Sequence, residues 1–227
     1  MGAMPTRLET ALAKDVALWR VLSVVCLGVL PLVIGAAVIA GSQHHAFGIE
    51  FLGNLWRPAR DVLAGRSPYH PARVAGALAG LRAGHPPPGL ALAVYPAYPA
   101  PALLLGLPFA HVSGHVAAWL WMVVLLASSF GALRLMGVRD WRCYGAAALS
   151  ITLLSAVMLG SVTPLMLLGA AAAWRYRDRW RACALAVASL IALKLILWPL
   201  VVWLWFTGRR RAAATSLAGG LLLVVAG

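Results

Sequence analysis

Long hydrophobic stretches alternate with short polar segments along most of this chain. The first stretch, Val21–Gly41, follows a basic amino end and is about long enough to cross a bilayer. It is longer than a typical signal-peptide core, and no cleavage site of small residues stands out. We therefore expect residues 1–20 to lie in the cytoplasm and residues 21–41 to form the first transmembrane helix.

Residues 42–97 interrupt the hydrophobic pattern with histidines, prolines and two acidic side chains. The pattern predicts two short amphipathic helices here: Glu50–Ala64, which ends at Gly65 and is kinked or restarted at Pro58, and Pro71–Ala83. The apolar stripe of the first helix consists of Phe51, Leu55, Ala59, Val62 and Leu63. We expect both helices to lie along the membrane surface in a non-cytoplasmic loop.

Residues 98–227 return to the hydrophobic pattern and predict about five or six further membrane segments. Two stretches have full length, two are short, one is interrupted by Lys194 and Pro199, and one reaches the last residue. In chain order they are Ala100–Ala110, Gly114–Met136, Cys143–Leu159, Leu165–Trp174, Ala182–Phe206 and the stretch from Ala212 onward. Because the last stretch reaches Gly227 without a polar tail, we expect a truncated or fragmentary product.

Arginines cluster in the short segments between hydrophobic stretches, which is typical of cytoplasmic loops. Only one hydrophobic stretch separates the cluster at 175–181 from the cluster at 209–211. Either one cluster faces outward, or the helix breaks near Lys194–Pro199 and returns. We expect the break, because irregular backbone at membrane depth usually lines a cavity.

The composition agrees with a membrane protein. The chain is 62% hydrophobic and 11% charged, with a mean hydropathy of +0.86, which no water-soluble domain of this size requires. Apolar runs without strict alternation favour helices over a barrel. The net charge of +13 comes from the dispersed loop clusters, so nucleic-acid binding is not indicated. The three cysteines lack metal-ligand spacing. His111 and His115 are four residues apart, but Ser113 and Gly114 between them favour a turn, so a metal site is only weakly indicated.

Glu50 and Asp61 are the only acidic residues between Asp15 and Asp140. A carboxylate in this loop can accept a proton from a sugar or lipid hydroxyl. Asp61 equally fits an ion pair with Arg57 one helical turn earlier. Glu50 is therefore the first candidate for a catalytic base and Asp61 the second.

Lys194 lies within an apolar stretch, where a charge is costly and is by default a candidate for function. It fits the phosphate of a lipid-linked donor, and the alternative is that its ammonium group reaches out to the interface. Arg57 and Arg60, on the non-cytoplasmic loop, fit a lipid phosphate or an ordinary solvated helix face.

Five features occur in a fixed order along the chain: Glu50-Phe51, the stretch LAGRSPY at 63–69, YPAP at 98–101, GSVT at 160–163, and Lys194 ahead of Pro199. This series resembles glycosyltransferase family 87 of the GT-C superfamily, which includes bacterial mannosyltransferases that use polyprenyl-phosphate sugars. The resemblance covers the amino-terminal half of such an enzyme.

The resemblance implies an all-α, polytopic, GT-C-like membrane protein of the inner (plasma) membrane that performs an inverting sugar transfer. Glu50 would be the general base. Lys194, Arg57 and Arg60, with Tyr69 and Tyr98, would bind the lipid phosphate and substrate. The partners would be a polyprenyl-phosphate sugar donor, a lipid or glycan acceptor and membrane lipids, without a metal or cofactor.

Two alternatives remain open at the level of sequence. One is an inactive, truncated relative of these transferases. The other is a non-catalytic membrane protein such as a transporter fragment. A transporter would favour inverted repeats with midplane charges in both halves, whereas Lys194 has no second copy here.

Overall fold

The computed structural model describes residues 7–42, 47–69 and 98–226, and every regular element in these ranges is helical. In chain order the helices are α1 (Arg7–Val24), α2 (Leu30–Ser42), α3 (Ile49–Phe51), α4 (Arg57–Leu63), α5 (Ala100–Leu103), α6 (Gly114–Leu135), α7 (Trp141–Leu149), α8 (Ile151–Leu159), α9 (Thr163–Arg175), α10 (Trp180–Leu193), α11 (Pro199–Phe206) and α12 (Arg210–Ala226). One π-helical turn joins α1 to α2 and another joins α3 to α4, and short 3₁₀ segments follow α5 and α10.

Over these residues the predicted all-α membrane architecture is confirmed. The GT-C-like arrangement and the division of the chain into loop and membrane segments stay predictions. The second amphipathic helix, Pro71–Ala83, lies outside the described residues.

Two helical stretches are long and apolar enough to cross a bilayer, Val16–Ala37 and Gly114–Leu135, each of 22 residues. The first overlaps the predicted first span and continues through the π turn. The second is α6, the predicted full span. It begins where it does because the Ser113 hydroxyl accepts a hydrogen bond from the Val116 amide and so caps the helix.

The stretch predicted as a span, Cys143–Leu159, is not one continuous helix, and its crossing of the membrane stays a prediction. α7 and α8 have nine residues each and are bent by 65° relative to each other. Ser150 lies between them with an extended backbone, and its hydroxyl accepts a hydrogen bond from the Leu153 amide at 3.2 Å. This cap starts a new helix, and hydropathy does not reveal it because both halves are apolar.

The predicted helix from Glu50 is present as α3, a π turn and α4. Pro58 lies in the first turn of α4, directly after the π turn, where proline is tolerated. Gly65 has a φ of +67° and follows the helix end, as expected. Phe51, Leu55 and Ala59 of the apolar stripe are fully buried against protein; the location of the helix along the membrane surface stays a prediction.

Helices α9 to α12 pack together through a cluster made mostly of small side chains, including Ala173, Cys183, Ala184 and Ala213. Small residues let membrane helices approach closely. The helix breaks at Lys194, as expected, and α11 leads back so that Leu204 is buried in the same cluster.

The break at Lys194 brings two arginine clusters to one end of the molecule. Arg209, before α12, donates hydrogen bonds to the carbonyl of Arg177 at 3.0 Å and to Asp178 Oδ1 at 2.8 Å. Helices α6 and α9 run side by side, with Gly131 close to Leu168. The loop after α6 and the turn after α9 therefore lie at this same end, which we call the basic end.

Candidate active site

The opposite end of the molecule is organised around the polar break between α8 and α9. Gly160 ends α8 with a φ of +75°, and a Cβ there would lie 2.8 Å from the Cβ of Phe51. The Gly48 amide donates a hydrogen bond to the Met158 carbonyl at 2.7 Å. Only glycine at 160 permits this approach, which brings the start of α3, and with it Glu50, against the break.

Three aromatic rings hold the start of α3 in position. Phe51 stacks on Trp121 with ring centroids 4.7 Å apart, and Phe109 meets both rings edge-on. The indole N–H of Trp121 donates a hydrogen bond to the Gly160 carbonyl at 2.9 Å. Stacked and edge-to-face contacts of this kind are specific in geometry as well as apolar. The backbone of Glu50 is therefore fixed by its neighbour in sequence.

The hydroxyl of Tyr98 donates a short hydrogen bond to Glu50 Oε1. Tyr98 is 4% exposed. Burial, followed by the hydrogen bond to Glu50 and its negative charge, raises the pKa of the Tyr98 hydroxyl; hydrogen bonds from the Val162 amide and the Ser161 hydroxyl act in the opposite direction. The phenol therefore keeps its proton near neutral pH and acts as a donor to the carboxylate.

Tyr69 is joined to Tyr98 through the backbone. Its hydroxyl donates a hydrogen bond to the Tyr98 carbonyl at 3.1 Å, and its amide donates to the Ser67 hydroxyl at 3.3 Å. Burial raises the pKa of the Tyr69 hydroxyl, so it too stays protonated. Tyr69 of the Ser-Pro-Tyr motif and Tyr98 of the Tyr-Pro motif, 29 positions apart in the sequence, thus meet at the site.

Lys194 reaches the same tyrosine from α10. Its backbone is extended, with φ −155° and ψ 109°, and this ends the helix. The ammonium nitrogen lies 5.8 Å from the centroid of the Tyr98 ring, within the range of a cation–π contact. The described contacts therefore link Glu50, Tyr98 and Lys194, three of the residues that sequence indicated as site residues.

The break itself supplies polar groups that were not predicted as site residues. The hydroxyls of Ser161 and Thr163 lie 3.0 Å apart, and Ser161 and Val162 act on the Tyr98 hydroxyl. The glycine followed by small polar residues in an apolar stretch was the available signal. Its pairing with Tyr98, 63 residues earlier, depends on tertiary contacts.

The remaining predicted residues lie apart from this cluster. Arg57 and Arg60 are exposed on α4, and the Arg60 guanidinium lies over the Trp56 ring, 4.9 Å from its centroid. Asp61 is buried, and its described guanidinium partner is Arg66, at 2.9 Å, in place of the predicted Arg57. Gly65 reverses the chain after α4, which carries Arg66 back to the carboxylate, whereas Arg57 faces outward.

An apolar groove of about 520 Å³ opens next to the cluster. Its walls include Val62 of α4, Tyr69, Pro101 of α5, Leu104 and Leu223 of α12, so three helices contribute. Together the site offers a carboxylate, two protonated phenols and an ammonium group beside an apolar groove. A carboxylate can take a proton from a hydroxyl, and an ammonium group can bind a phosphate.

Among the described residues, no group of three His, Cys, Asp or Glu side chains has the geometry of a metal site.

The family model described as glycosyltransferase family 87 matches residues 95–227 of the chain. This range is more than half of the 227 residues and contains Tyr98, the Gly160 break and Lys194. Glu50 and the first span precede it. No curated protein and no solved structure matches the chain.

Proposed function

This chain belongs to glycosyltransferase family 87 and is a membrane glycosyltransferase, and from that premise we propose that it uses a polyprenyl-phosphate sugar as its donor. The acceptor is a hydroxyl group of a lipid or glycan, the sugar is a hexose with mannose as the first candidate, and transfer occurs at the non-cytoplasmic face. The observation that carries the proposal is the contact series from Glu50 through Tyr98 to Lys194.

Glu50 acts as the general base in this proposal. The acceptor hydroxyl gives its proton to the free carboxylate oxygen, while its oxygen attacks the anomeric carbon of the donor sugar. The bond from that carbon to the phosphate oxygen breaks, and polyprenyl phosphate leaves with the electron pair. Attack on the face opposite the leaving group inverts the anomeric carbon. A positioned base of this kind contributes about 10²- to 10⁴-fold to a rate.

Lys194 binds the phosphate that leaves. The charge on the phosphate oxygens rises as the glycosidic bond breaks, and a fixed ammonium group stabilises that increase more than it stabilises the intact donor. Arg57 and Arg60, exposed on α4, are candidate contacts for the donor phosphate as it approaches. The polyprenyl chain itself stays in the bilayer.

Tyr98 positions Glu50 in this proposal. Its protonated hydroxyl occupies Oε1 and leaves Oε2 for the acceptor proton. The ring lies between the base and Lys194, so it also sets the spacing between the proton acceptor and the phosphate-binding group. Tyr69 supports the backbone of Tyr98.

The sidedness follows from charge. The basic end carries the arginine clusters that the positive-inside rule assigns to the cytoplasm, so Glu50 and Lys194, at the opposite end, face outward. We propose an inner-membrane location with a cytoplasmic amino end, and this places the donor in the outward-facing leaflet.

The donor class is tested with the full chain reconstituted in liposomes. Membrane acceptors are supplied together with either polyprenyl-phosphate mannose or a nucleotide-linked mannose, each radiolabelled in the sugar. We expect label to reach the acceptor only from the lipid-linked donor. Transfer from the nucleotide sugar alone would contradict the proposed donor, and a parallel series with other lipid-linked hexoses identifies the sugar. Absence of transfer from every lipid-linked donor would refute the proposal.

A further inference from the structure

A polar cleft of about 570 Å³ lies at the basic end, between the turn after α9 and the turn after α11. Its walls come from Arg177–Asp178, Trp180 and Thr207–Ala212. The sugar-transfer site is at the other end of the molecule and uses none of these residues. The function of this cleft is therefore a separate question.

Positive charge dominates the two turns. Seven arginines lie in residues 175–181 and 209–211, against the single acidic residue Asp178. Asp178 is engaged by Arg209, and this hydrogen bond holds the pKa of the Asp178 carboxyl below its usual range. Asp178 pairs with Arg209 at 2.8 Å and, more distantly, with Arg177 at 3.9 Å. Because its single negative charge neutralises only one of the seven positive charges, the two turns keep a strong positive field at neutral pH.

Four of these arginines are held by aromatic rings. Arg177 lies over Trp174 at 4.7 Å, and Arg210 lies over Trp205 at 5.7 Å, measured to the ring centroid. The other two stacks are Arg179 on Tyr176 and Arg181 on Trp180. A ring occupies the flat face of a guanidinium group and leaves its N–H edge free for bidentate binding of a phosphate. Of these four arginines, Arg177 and Arg210 line the cleft, so the cleft presents guanidinium groups that a ring holds in a fixed orientation.

The aromatic side chains around the cleft indicate that it lies at the membrane–water interface. Tryptophan and tyrosine gather at the membrane–water interface, and Trp205 is 50% exposed while the adjacent Phe206 is 83% exposed. A free phosphate ion would leave these apolar surfaces uncovered. A phospholipid covers them with its acyl chains while its phosphodiester meets the arginine edges.

We infer that this cleft binds the headgroup of an anionic phospholipid from the leaflet at the basic end. Arg209, from the turn after α11, contacts both Arg177 and Asp178 of the turn after α9. It therefore fixes the two walls of the cleft relative to each other. Arg210 and Arg211 are exposed and line the cleft, so they are the residues that meet the phosphate.

The test is native mass spectrometry of the full chain in detergent, titrated with phosphatidylglycerol and, separately, with phosphatidylcholine. The variant carries Arg210→Gln and Arg211→Gln. The control carries Arg134→Gln and Arg139→Gln, which removes the same charge from two exposed arginines near another turn of the basic end. We expect the wild type and the control to prefer phosphatidylglycerol, and the variant to bind it about 10- to 30-fold more weakly, as two surface cations imply.

Three results would overturn the inference: equal binding of both lipids by the wild type, an equal loss in variant and control, and unchanged binding in the variant. Inorganic phosphate is added as a further arm. If millimolar phosphate displaces the lipid, the cleft is a site for free anions and the lipid assignment is wrong. A thermal unfolding midpoint equal to that of the wild type shows that the variant remains folded.

Discussion

A carboxylate proposed as a general base next to lipid requires a partner that orients it without cancelling its charge. Tyr98 meets this requirement because a phenol is a neutral donor, whereas an arginine would form an ion pair, as Arg66 does with Asp61. The two acidic residues of the same helical segment thus have different environments. Asp61 is committed to a structural pair, and Glu50 faces the Gly160 break with a phenol on one of its oxygens.

Replacing Tyr98→Phe removes this hydrogen bond and leaves the ring under Lys194. We expect kcat to fall by about 10- to 100-fold, the value of a hydrogen bond to a charged group, while the KM for the donor stays near the wild-type value. Steady-state transfer kinetics in liposomes measure both constants. Tyr176→Phe, at the basic end, is the matched control, and a rise in donor KM without a fall in kcat would contradict a positioning role for Tyr98.

At this scale the sequence indicated Glu50 and Lys194 because each is a charge within an apolar or membrane-adjacent segment. It did not connect them, since the connection runs through Tyr98, which lies 48 positions after Glu50 and contacts Lys194 only in the folded chain. It assigned Asp61 to Arg57 from helical spacing. The structure assigns Asp61 to Arg66, because the reversal of the chain at Gly65 is not a helical relation.

The break between α8 and α9 is the element on which the site is built. Gly160 takes a left-handed conformation and lets Phe51 and Gly48 pack against it. Gly208, before α12, has a similar φ of +80°, but nothing lies within 4 Å of the position of a Cβ there. Substitutions at the two glycines therefore distinguish two contributions to stability: the free-energy cost of the left-handed backbone, and the cost of displacing α3.

We expect Gly208→Ala to destabilise the fold by about 1–2 kcal/mol, the cost of the left-handed backbone alone. Gly160→Ala carries that same cost and also forces α3 away from the break, so it should lower stability further and reduce transfer. Thermal unfolding in detergent and the liposome transfer assay report the two effects. Equal losses of stability and full activity in both variants would show that α3 does not depend on the break.

Sequence predicted the break at Lys194 and missed the bend at Ser150. A charged residue followed five positions later by a proline is visible in an apolar run. A serine that caps the following helix cannot be recognised in the same way, because serine is common within membrane helices and the sequence on either side of Ser150 is apolar. Only the structure reveals the bend, through the hydrogen bond from the Leu153 amide to the Ser150 hydroxyl.

For the whole molecule, the separation of charge is the basis of the proposed orientation in the membrane. The loop after α6 and the turns after α9 and α11 collect arginine at one end, and the candidate site lies at the other. Sequence left both a broken helix and an outward-facing cluster open and favoured the broken helix. The contact of Arg209 with Asp178 decides that point, because it brings the two clusters to the same end.

This arrangement predicts which cysteines are labelled from outside the cell. In a chain whose Cys26, Cys143 and Cys183 are replaced by alanine, Ser67→Cys should react with a membrane-impermeant maleimide in intact cells. Arg139→Cys, at the basic end, should react only after permeabilisation. Both side chains are exposed, so access and not burial sets the difference. The reverse pattern would show that the site faces the cytoplasm.

The central claim, that Glu50 is the base for sugar transfer, is tested most directly by Glu50→Gln. This change keeps the size of the side chain and removes its ability to take a proton. We predict that transfer from the polyprenyl-phosphate donor falls by about 10²- to 10⁴-fold, with expression and thermal unfolding unchanged. Asp140→Asn, which retains a good helix cap far from the site, should transfer at the wild-type rate. Wild-type transfer by Glu50→Gln would contradict the account.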